Sequence, residues 1–144
     1  MMNSTELPPP LLAVRAFIRD DAGKILILKR ASDDMYGDLW CLPGGKVDYG
    51  QTAEEAVIRE IQEETSLNCT SVNFLFYMDG LPVTPGDKHY LTLFFSCEVN
   101  GNIRLNRESS ELAWTEPNNL DQYEFAFGSD KAIEAYWRNK KHHN

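Results

Sequence analysis

The segment from Gly45 to Leu67 constrains this chain more than any other part of its sequence. A glycine turn precedes a run in which Glu60, Glu63 and Glu64 fall within five residues. At 3.6 residues per turn, these three positions lie within a sector of about 100° on one face of a helix. Like charges at such spacings cost a few tenths of a kcal/mol per pair unless a cation lies among them. Because clustered carboxylate oxygens are ligands that Mg²⁺ and Mn²⁺ accept, the segment indicates a divalent metal site.

The start of this helix can be predicted from its first turn. Thr52, followed three residues later by Glu55, is a capping box that places the helix start at about Ala53. The helix is predicted to pack on a core through an apolar face formed by Val57, Ile58 and Ile61. It therefore has one face for packing and one for chemistry.

Two further predictions concern residues next to the acidic face of the helix. Gly44 and Gly45 follow Pro43 and predict a turn whose backbone can approach a ligand closely, so that a carbonyl there could complete a metal shell. Arg59 is predicted to point away from the carboxylates, where it could pair with another acid or fix a loop.

These residues resemble the Nudix box, in which a glycine is followed by x5-Glu-x7-Arg-Glu-hydrophobic-x-Glu-Glu-x-Gly-hydrophobic. Two positions differ, because Gln51 stands where the family has glutamate and Ser66 where it has glycine. The resemblance covers Leu11 to about Tyr123 and implies an α/β (α+β) fold, the Nudix-type α/β/α sandwich with a mixed β-sheet. The matching positions are Gly45, Arg59, Glu60, Ile61, Glu63, Glu64 and Leu67.

The resemblance also implies a set of metal ligands and catalytic residues. Glu60, Glu63 and Glu64, together with the carbonyl of Gly44, correspond to the ligands of Mg²⁺ or Mn²⁺, and Glu60 corresponds to the general base. Arg59 belongs to the same catalytic set, although its role is less defined. Glu111 lies in a region where some Nudix enzymes place another acidic ligand and is a further metal candidate.

Substrate contacts are implied at two places. Gly44 and Gly45 form the entry to the site. Arg30, at the end of the second predicted strand, matches an arginine that contacts substrate phosphate in MutT-like members. A surface charge that closes a strand explains Arg30 equally well.

The two departures from the Nudix box each have a physical consequence. The Gln51 amide can accept a hydrogen bond but brings no charge, so an outer metal site or the orientation of the base is expected to be weaker than in relatives. Ser66 stands where glycine ends the helix in a left-handed conformation. Either Ser66 adopts that conformation, or the helix continues and Asn68 ends it. We favour the first, because Leu67 then reaches the core.

For function, the resemblance implies hydrolysis of a nucleoside diphosphate linked to another moiety. The short chain is similar to MutT-type enzymes, which convert nucleoside triphosphates to monophosphate and pyrophosphate. ADP-ribose or sugar-nucleotide hydrolysis is the alternative within the enzyme class. Two other interpretations remain open, a Nudix module that senses a nucleotide without hydrolysing it and a solvated acidic helix without a site.

Length and charge bound the partners. The 144 residues (16.4 kDa) predict a single domain over 1–144. A formal net charge of −8 disfavours binding to nucleic acid polymers or anionic membranes by electrostatics alone. A small-molecule nucleotide, with its own divalent metal, is the expected partner, and the chain is expected to be a monomer or homodimer.

The cysteines and the chain ends indicate the compartment. Cys41, Cys69 and Cys97 have no CxxC spacing and are predicted to be free thiols of a reducing, cytoplasmic environment. Neither a secretion signal nor a run of about 18 apolar residues is recognisable. Residues 1–10 and 140–144 are predicted to be flexible ends.

The remaining elements follow from apolar periodicity and turn residues. A hairpin is predicted from 11–18 and 24–29, strands over 38–42, 72–78, 90–99 and 112–115, a helical turn over 117–123 and a helix over 130–139. Trp40 and Trp114 are predicted to be core residues. Tyr123, Phe125 and Phe127 are candidates for core packing or for contact with a base.

Overall fold

A computed structural model describes residues 7–142 of the chain. Its strands are β1 (Leu11–Phe17), β2 (Ile25–Arg30), β3 (Trp40–Cys41), β4 (Gly44–Lys46), β5 (Asn68–Gly80), β6 (Tyr90–Asn100) and β7 (Ser109–Thr115). Its helices are α1 (Ala53–Thr65) and α2 (Ser129–His142), and a 3-10 helix spans Pro117–Gln122. Of the predicted flexible ends, residues 1–6 and 143–144 lie outside the described residues.

The strands form two sheets. One has four strands in the order β4-β1-β6-β5 and is mixed, because β1 and β6 are parallel while the outer pairs are antiparallel. The other has three antiparallel strands in the order β3-β2-β7. The predicted mixed sheet is therefore confirmed, and a second, smaller sheet accompanies it.

Two cores lie on opposite sides of these strands, since successive side chains of a strand point to opposite faces. Val14 and Ala16 belong to a buried cluster that also contains Val57 and Ile61 of α1. Phe17 belongs to the second cluster, which is covered by Ile133 and Tyr136 of α2. One helix thus packs on each face, which confirms the α/β/α sandwich.

The predicted hairpin between the first two strands is confirmed at its turn and at the first residue pairs, where Arg19 bridges Ile25 and the N–H of Leu26 donates to the carbonyl of Ile18 at 2.9 Å, but it does not extend along the strands. The turn exists, because the N–H of Asp20 donates to the carbonyl of Lys24 at 2.9 Å. The strands then separate into different sheets. Further from the turn, β4 pairs with one edge of β1 and β3 with one edge of β2, while β6 and β7 occupy the other edges, so the hairpin cannot extend.

The aromatic side chains follow the core prediction with one exception. Trp40 and Trp114 are half-buried against the two cores, as expected, and Tyr123 and Phe125 pack beside Trp40. Phe127 belongs to neither core.

All three cysteines are free, as predicted. Among residues 7–142, neither helix combines the length and the apolar character that crossing a membrane requires.

The end of α1 confirms that Ser66 takes the left-handed conformation. Its φ is 68° and its ψ is 6°, and its N–H donates to the carbonyl of Gln62 at 2.9 Å. Its hydroxyl also donates to the carbonyl of Arg104 at 3.1 Å. The helix therefore does not continue to Asn68.

Replacement of Ser66 by glycine is expected to stabilise the protein modestly, by about 0.5 kcal/mol, because removal of the left-handed strain outweighs the loss of the exposed hydroxyl hydrogen bond and the added freedom of the unfolded chain. Ser66→Ala is the matched control. It keeps the strain and loses the hydroxyl, so its unfolding midpoint should fall. Thermal unfolding of both variants checks this, and a clearly lower midpoint for Ser66→Gly would contradict it.

Candidate active site

Helix α1 presents the acidic residues from a fixed start. Both hydrogen bonds of the predicted capping box are present, between the N–H of Glu55 and Thr52 Oγ1 and between the N–H of Thr52 and Glu55 Oε1. Val57 and Ile61 are fully buried, whereas Ile58 is 39% exposed, so its predicted packing role is wrong. Val57 and Ile61 are four residues apart and share a face, which turns Ile58 outward.

Glu64 is the most deeply buried of the three carboxylates. Only 8% of the residue is exposed, and the N–H of Gly44 donates to its Oε1 at 3.4 Å. Burial raises the pKa of Glu64 well above its ordinary value, a hydrogen bond with the Glu60 carboxylate and the charge of Glu60 raise it further, and the charge of Arg15 opposes them. Without a cation nearby, the Glu64 carboxyl group is therefore more easily protonated than that of an exposed glutamate.

Gly45 lets Glu60 lie against the backbone. A Cβ atom built on Gly45 would lie 2.7 Å from the carboxylate carbon and oxygens of Glu60, well inside van der Waals contact. The Glu60 carboxylate therefore occupies the space that a side chain at position 45 would fill. The double glycine predicted that the backbone approaches another group closely. That group is the carboxylate of Glu60, a candidate catalytic residue.

The predicted turn at Gly44 and Gly45 is wrong, because these residues form β4 and pair with β1. A Cβ on Gly44 would lie 2.0 Å from the carbonyl oxygen of Val14, so only glycine allows this pairing. Sequence indicators of turns do not distinguish glycines needed for a bend from glycines needed for close strand contact.

Arg59 lies among the carboxylates and not away from them, which corrects the prediction. Its Nη1 donates to Glu60 Oε1 at 2.9 Å and to Glu63 Oε2 at 3.2 Å, and its Nη2 lies 3.4 Å from Asp48 Oδ2. The long side chain folds back along the helix, so that a residue beside Glu60 in sequence can still reach it. Arg59 therefore neutralises part of the acidic face.

Gln51, the first departure from the box, is also bound to Arg59. Its amide oxygen accepts hydrogen bonds from Nε at 3.3 Å and Nη2 at 3.2 Å. The amide thus contacts the arginine and not the carboxylates directly.

Gln51→Glu is expected to raise metal affinity or maximal rate by up to about tenfold, since a new charge near the site is worth on the order of 1 kcal/mol. The new carboxylate would compete with Glu60 and Glu63 for Arg59. Gln51→Ala, which loses both hydrogen bonds, is the opposite control. Metal titration of the rate tests this, and equal midpoints with equal maximal rates would show that the substitution is neutral.

The structure does not bring Arg30 or Glu111 into contact with the carboxylates of α1. Arg30 Nη2 lies 2.7 Å from Asp34 Oδ2. Glu111 pairs with Lys29 across β2 and β7 at 3.2 Å, and its side chain is 59% exposed. Glu108 is connected to α1 through Asn106. The side-chain amide of Asn106 donates hydrogen bonds both to the Glu108 carboxylate and to the carbonyl of Glu63.

Arg15 is a feature that sequence reasoning missed, and it lies beside Phe127, which was a candidate for core packing or for contact with a base. Arg15 is buried in β1, and its Cζ lies 4.5 Å from the centre of the Phe127 ring. Arg30 approaches the same ring at 5.0 Å. A charged residue within the apolar run from Leu11 to Ile18 was the available signal.

The oxygen donors suit a hard divalent cation. Within the part of the chain that the structure describes, no three acidic, cysteine or histidine side chains converge as a ready-made cage. Glu63 points to Arg59, and its side chain is 49% exposed. The crowded pair of Glu60 and Glu64 nevertheless fits such an ion, because a cation beside them would offset the burial and the charge of Glu60 that raise the pKa of Glu64.

Comparison with known proteins gives a consistent result. The family model described as the NUDIX domain matches residues 9–136. An ADP-ribose pyrophosphatase of Methanocaldococcus jannaschii is 35% identical over 133 residues, covering 90% of this chain and 76% of the relative. The nucleoside triphosphatase NudI of Escherichia fergusonii is 30% identical over 124 residues, covering 77% and 86%. The crystal structure of a MutT protein from Methanosarcina mazei superposes with a TM-score of 0.79 at 25% identity, covering 94% and 99%.

Proposed function

The chain belongs to the Nudix family of pyrophosphohydrolases, and from this we propose that it cleaves the diphosphate linkage of a nucleoside diphosphate derivative, with nucleoside triphosphates as the first substrate class. The products would be a nucleoside monophosphate and pyrophosphate. The observation that carries the proposal is the carboxylate pair of Glu60 and Glu64, held against the glycine backbone of β4.

The proposed roles follow from the chemistry of phosphoanhydrides. Glu60 and Glu64, with Glu63 and the Gly44 carbonyl as the family implies, would hold Mg²⁺ or Mn²⁺. Such an ion would neutralise the phosphoryl charge and polarise its oxygens. Glu60 would take the proton of the attacking water at its carboxylate. Arg59 holds Glu60 by a 2.9 Å hydrogen bond and so fixes the direction of that carboxylate.

ADP-ribose is the second candidate substrate. The relative that covers 90% of this chain is named an ADP-ribose pyrophosphatase, and its 35% identity exceeds the 30% of the nucleoside triphosphatase NudI. Both substrates contain the same diphosphate, so the carboxylate pair serves either reaction. The preference between the two substrates therefore depends on the group attached to the diphosphate.

A substrate panel tests the proposal. Nucleoside triphosphates, ADP-ribose, sugar nucleotides and dinucleoside polyphosphates are incubated with Mg²⁺, and the products are separated and identified, with chelator-treated samples as the control. Pyrophosphate and monophosphate from triphosphates support the first class, and AMP from ADP-ribose supports the second. Binding without turnover of any substrate would contradict hydrolysis and favour a sensor module.

The proposal includes the expected setting of the enzyme. It would act in the cytoplasm on small nucleotides and not on nucleic acid polymers, as a monomer or a homodimer. The net charge of −8 and the free thiols support this.

A further inference from the structure

The guanidinium of Arg15 is a buried cation that the proposed chemistry has not used. Only 6% of Arg15 is exposed, and its Nη1 donates to the carbonyl of Leu42 at 2.6 Å. Among residues 7–142 this is its single hydrogen bond, and no carboxylate lies within 4.0 Å of its nitrogens. Buried charges are normally paired, and a guanidinium has five N–H donors. Most of its donors therefore have no protein acceptor.

Arg15 lies at the edge of the carboxylate cluster. In the pairing of β1 with β4, Arg15 is opposite Gly44, whose N–H donates to Glu64. Its hydrogen bond to Leu42 anchors it two residues before that glycine. A fixed positive charge thus flanks the site at which the carboxylates would bind a cation. A substrate diphosphate that contacts this cation would need a positive partner on its other side.

The ring of Phe127 joins Arg15 to Arg30. The two guanidinium carbons lie 4.5 Å and 5.0 Å from the ring centre, and the edge of Tyr36 contacts the same ring. Arg30 is paired with Asp34 at 2.7 Å, whereas Arg15 has no carboxylate within 4.0 Å among residues 7–142, so an anion beside the ring would first pair with Arg15. Arg30 is also the residue that the family resemblance connects with substrate phosphate.

The backbone at Phe127 is held in an unfavourable conformation. Its φ is 60°, and Gly128 follows with a φ of 67°. A bulky residue in this region carries strain that the surrounding structure must support, and such strain is concentrated at functional sites. The strained segment keeps the Phe127 ring over Arg15.

We propose that Arg15 binds the diphosphate of the substrate through its unused N–H donors, with Arg30 beside the same Phe127 ring. The proposal rests on the proposed function, since it assigns a phosphate contact to that reaction. The planar fork of arginine matches two phosphoryl oxygens at once. The hydrogen bond to Leu42 accounts for one donor and orients the others.

The test measures the affinity for inorganic pyrophosphate by titration calorimetry in the presence of Mg²⁺. Arg15→Met should weaken binding by about 10- to 100-fold, the usual effect of losing hydrogen bonds to a charged group. Arg19→Met, which removes an exposed arginine two residues after β1, is the matched control and should change the affinity by less than about twofold. An Arg15→Met protein with wild-type affinity would overturn the proposal.

Arg15→Lys keeps the test decisive if the methionine variant does not fold. It retains the charge but loses the fork, so binding should weaken to an intermediate extent, and wild-type affinity would again overturn the proposal. With an active substrate, KM should rise more than kcat falls, which a purely structural role would not produce. Wild-type protein that binds pyrophosphate through Arg15 but hydrolyses nothing would refute the proposed function and leave this inference standing. Absence of pyrophosphate binding by the wild type would refute this inference.

Discussion

A Glu64→Gln protein is expected to lose at least about 100-fold in kcat/KM while remaining folded, because the missing ligand or base acts mainly in the transition state. The same loss is expected for Glu60→Gln. Glu64 is 8% exposed, and its buried carboxyl already tends to keep a proton, so a neutral amide of similar shape should not destabilise the fold. Steady-state kinetics at saturating Mg²⁺, with thermal unfolding of each variant, measures both quantities.

Glu54→Gln provides the control on the same helix. Glu54 lies in the first turn of α1 and is exposed, so its substitution removes an equal charge outside the site. Its activity should stay close to that of the wild type. Wild-type turnover by Glu64→Gln at saturating Mg²⁺ would remove Glu64 from the catalytic set.

The second large effect is expected at Gly45. A methyl group there would overlap the Glu60 carboxylate, whose atoms lie 2.7 Å from the Cβ position. Because the obstacle is the end of a flexible side chain, Glu60 can move away at little cost in stability. A displacement of about 1 Å at a catalytic group can reduce the rate by about 100-fold, so Gly45→Ala should lose activity strongly and stability only slightly.

Alanine substitutions at two other glycines distinguish a displaced Glu60 carboxylate from a general loss of stability. Gly44→Ala would place its methyl group 2.0 Å from the backbone oxygen of Val14, so it should lower the free energy of unfolding by several kcal/mol. Gly80→Ala, whose nearest contact would be an ordinary 3.5 Å, should leave both quantities near wild type. Full activity of Gly45→Ala would show that catalysis does not require the Glu60 carboxylate at its present position.

Local rules predicted the parts of the site that depend on neighbouring residues. The capping box and the left-handed end at Ser66 concern hydrogen bonds within a few residues, and both are present as expected. The acidic sector followed from helical periodicity alone. These features define where α1 begins, where it ends and which face carries the carboxylates.

Contacts between distant parts of the chain could not be predicted in the same way. Pairing of β1 with β6 joins residues about eighty positions apart, and β4 takes the edge of β1 that a longer hairpin with β2 would need. The direction of Arg59 depends on Asp48 and Gln51, which precede the helix. Periodicity places a residue on a face but does not decide which of several partners a long side chain will choose.

Arg15 shows the same difficulty in a strand. Its position in an apolar run predicts burial, and burial of an arginine normally implies a partner. The sequence does not say that the ring above it comes from Phe127, more than a hundred residues later. Only the packing of the segment before α2 brings them together.

Binding of Mn²⁺, followed by electron paramagnetic resonance as free ion disappears, is the most direct test of the claim that α1 and β4 form a divalent metal site. The measurement needs no substrate, so it does not depend on the choice between triphosphates and ADP-ribose. Wild-type protein and Glu54→Gln should bind the ion with similar affinity, and the double variant Glu60→Gln/Glu64→Gln should lose at least about tenfold in affinity. Equal binding by the double variant and the wild type would contradict the account.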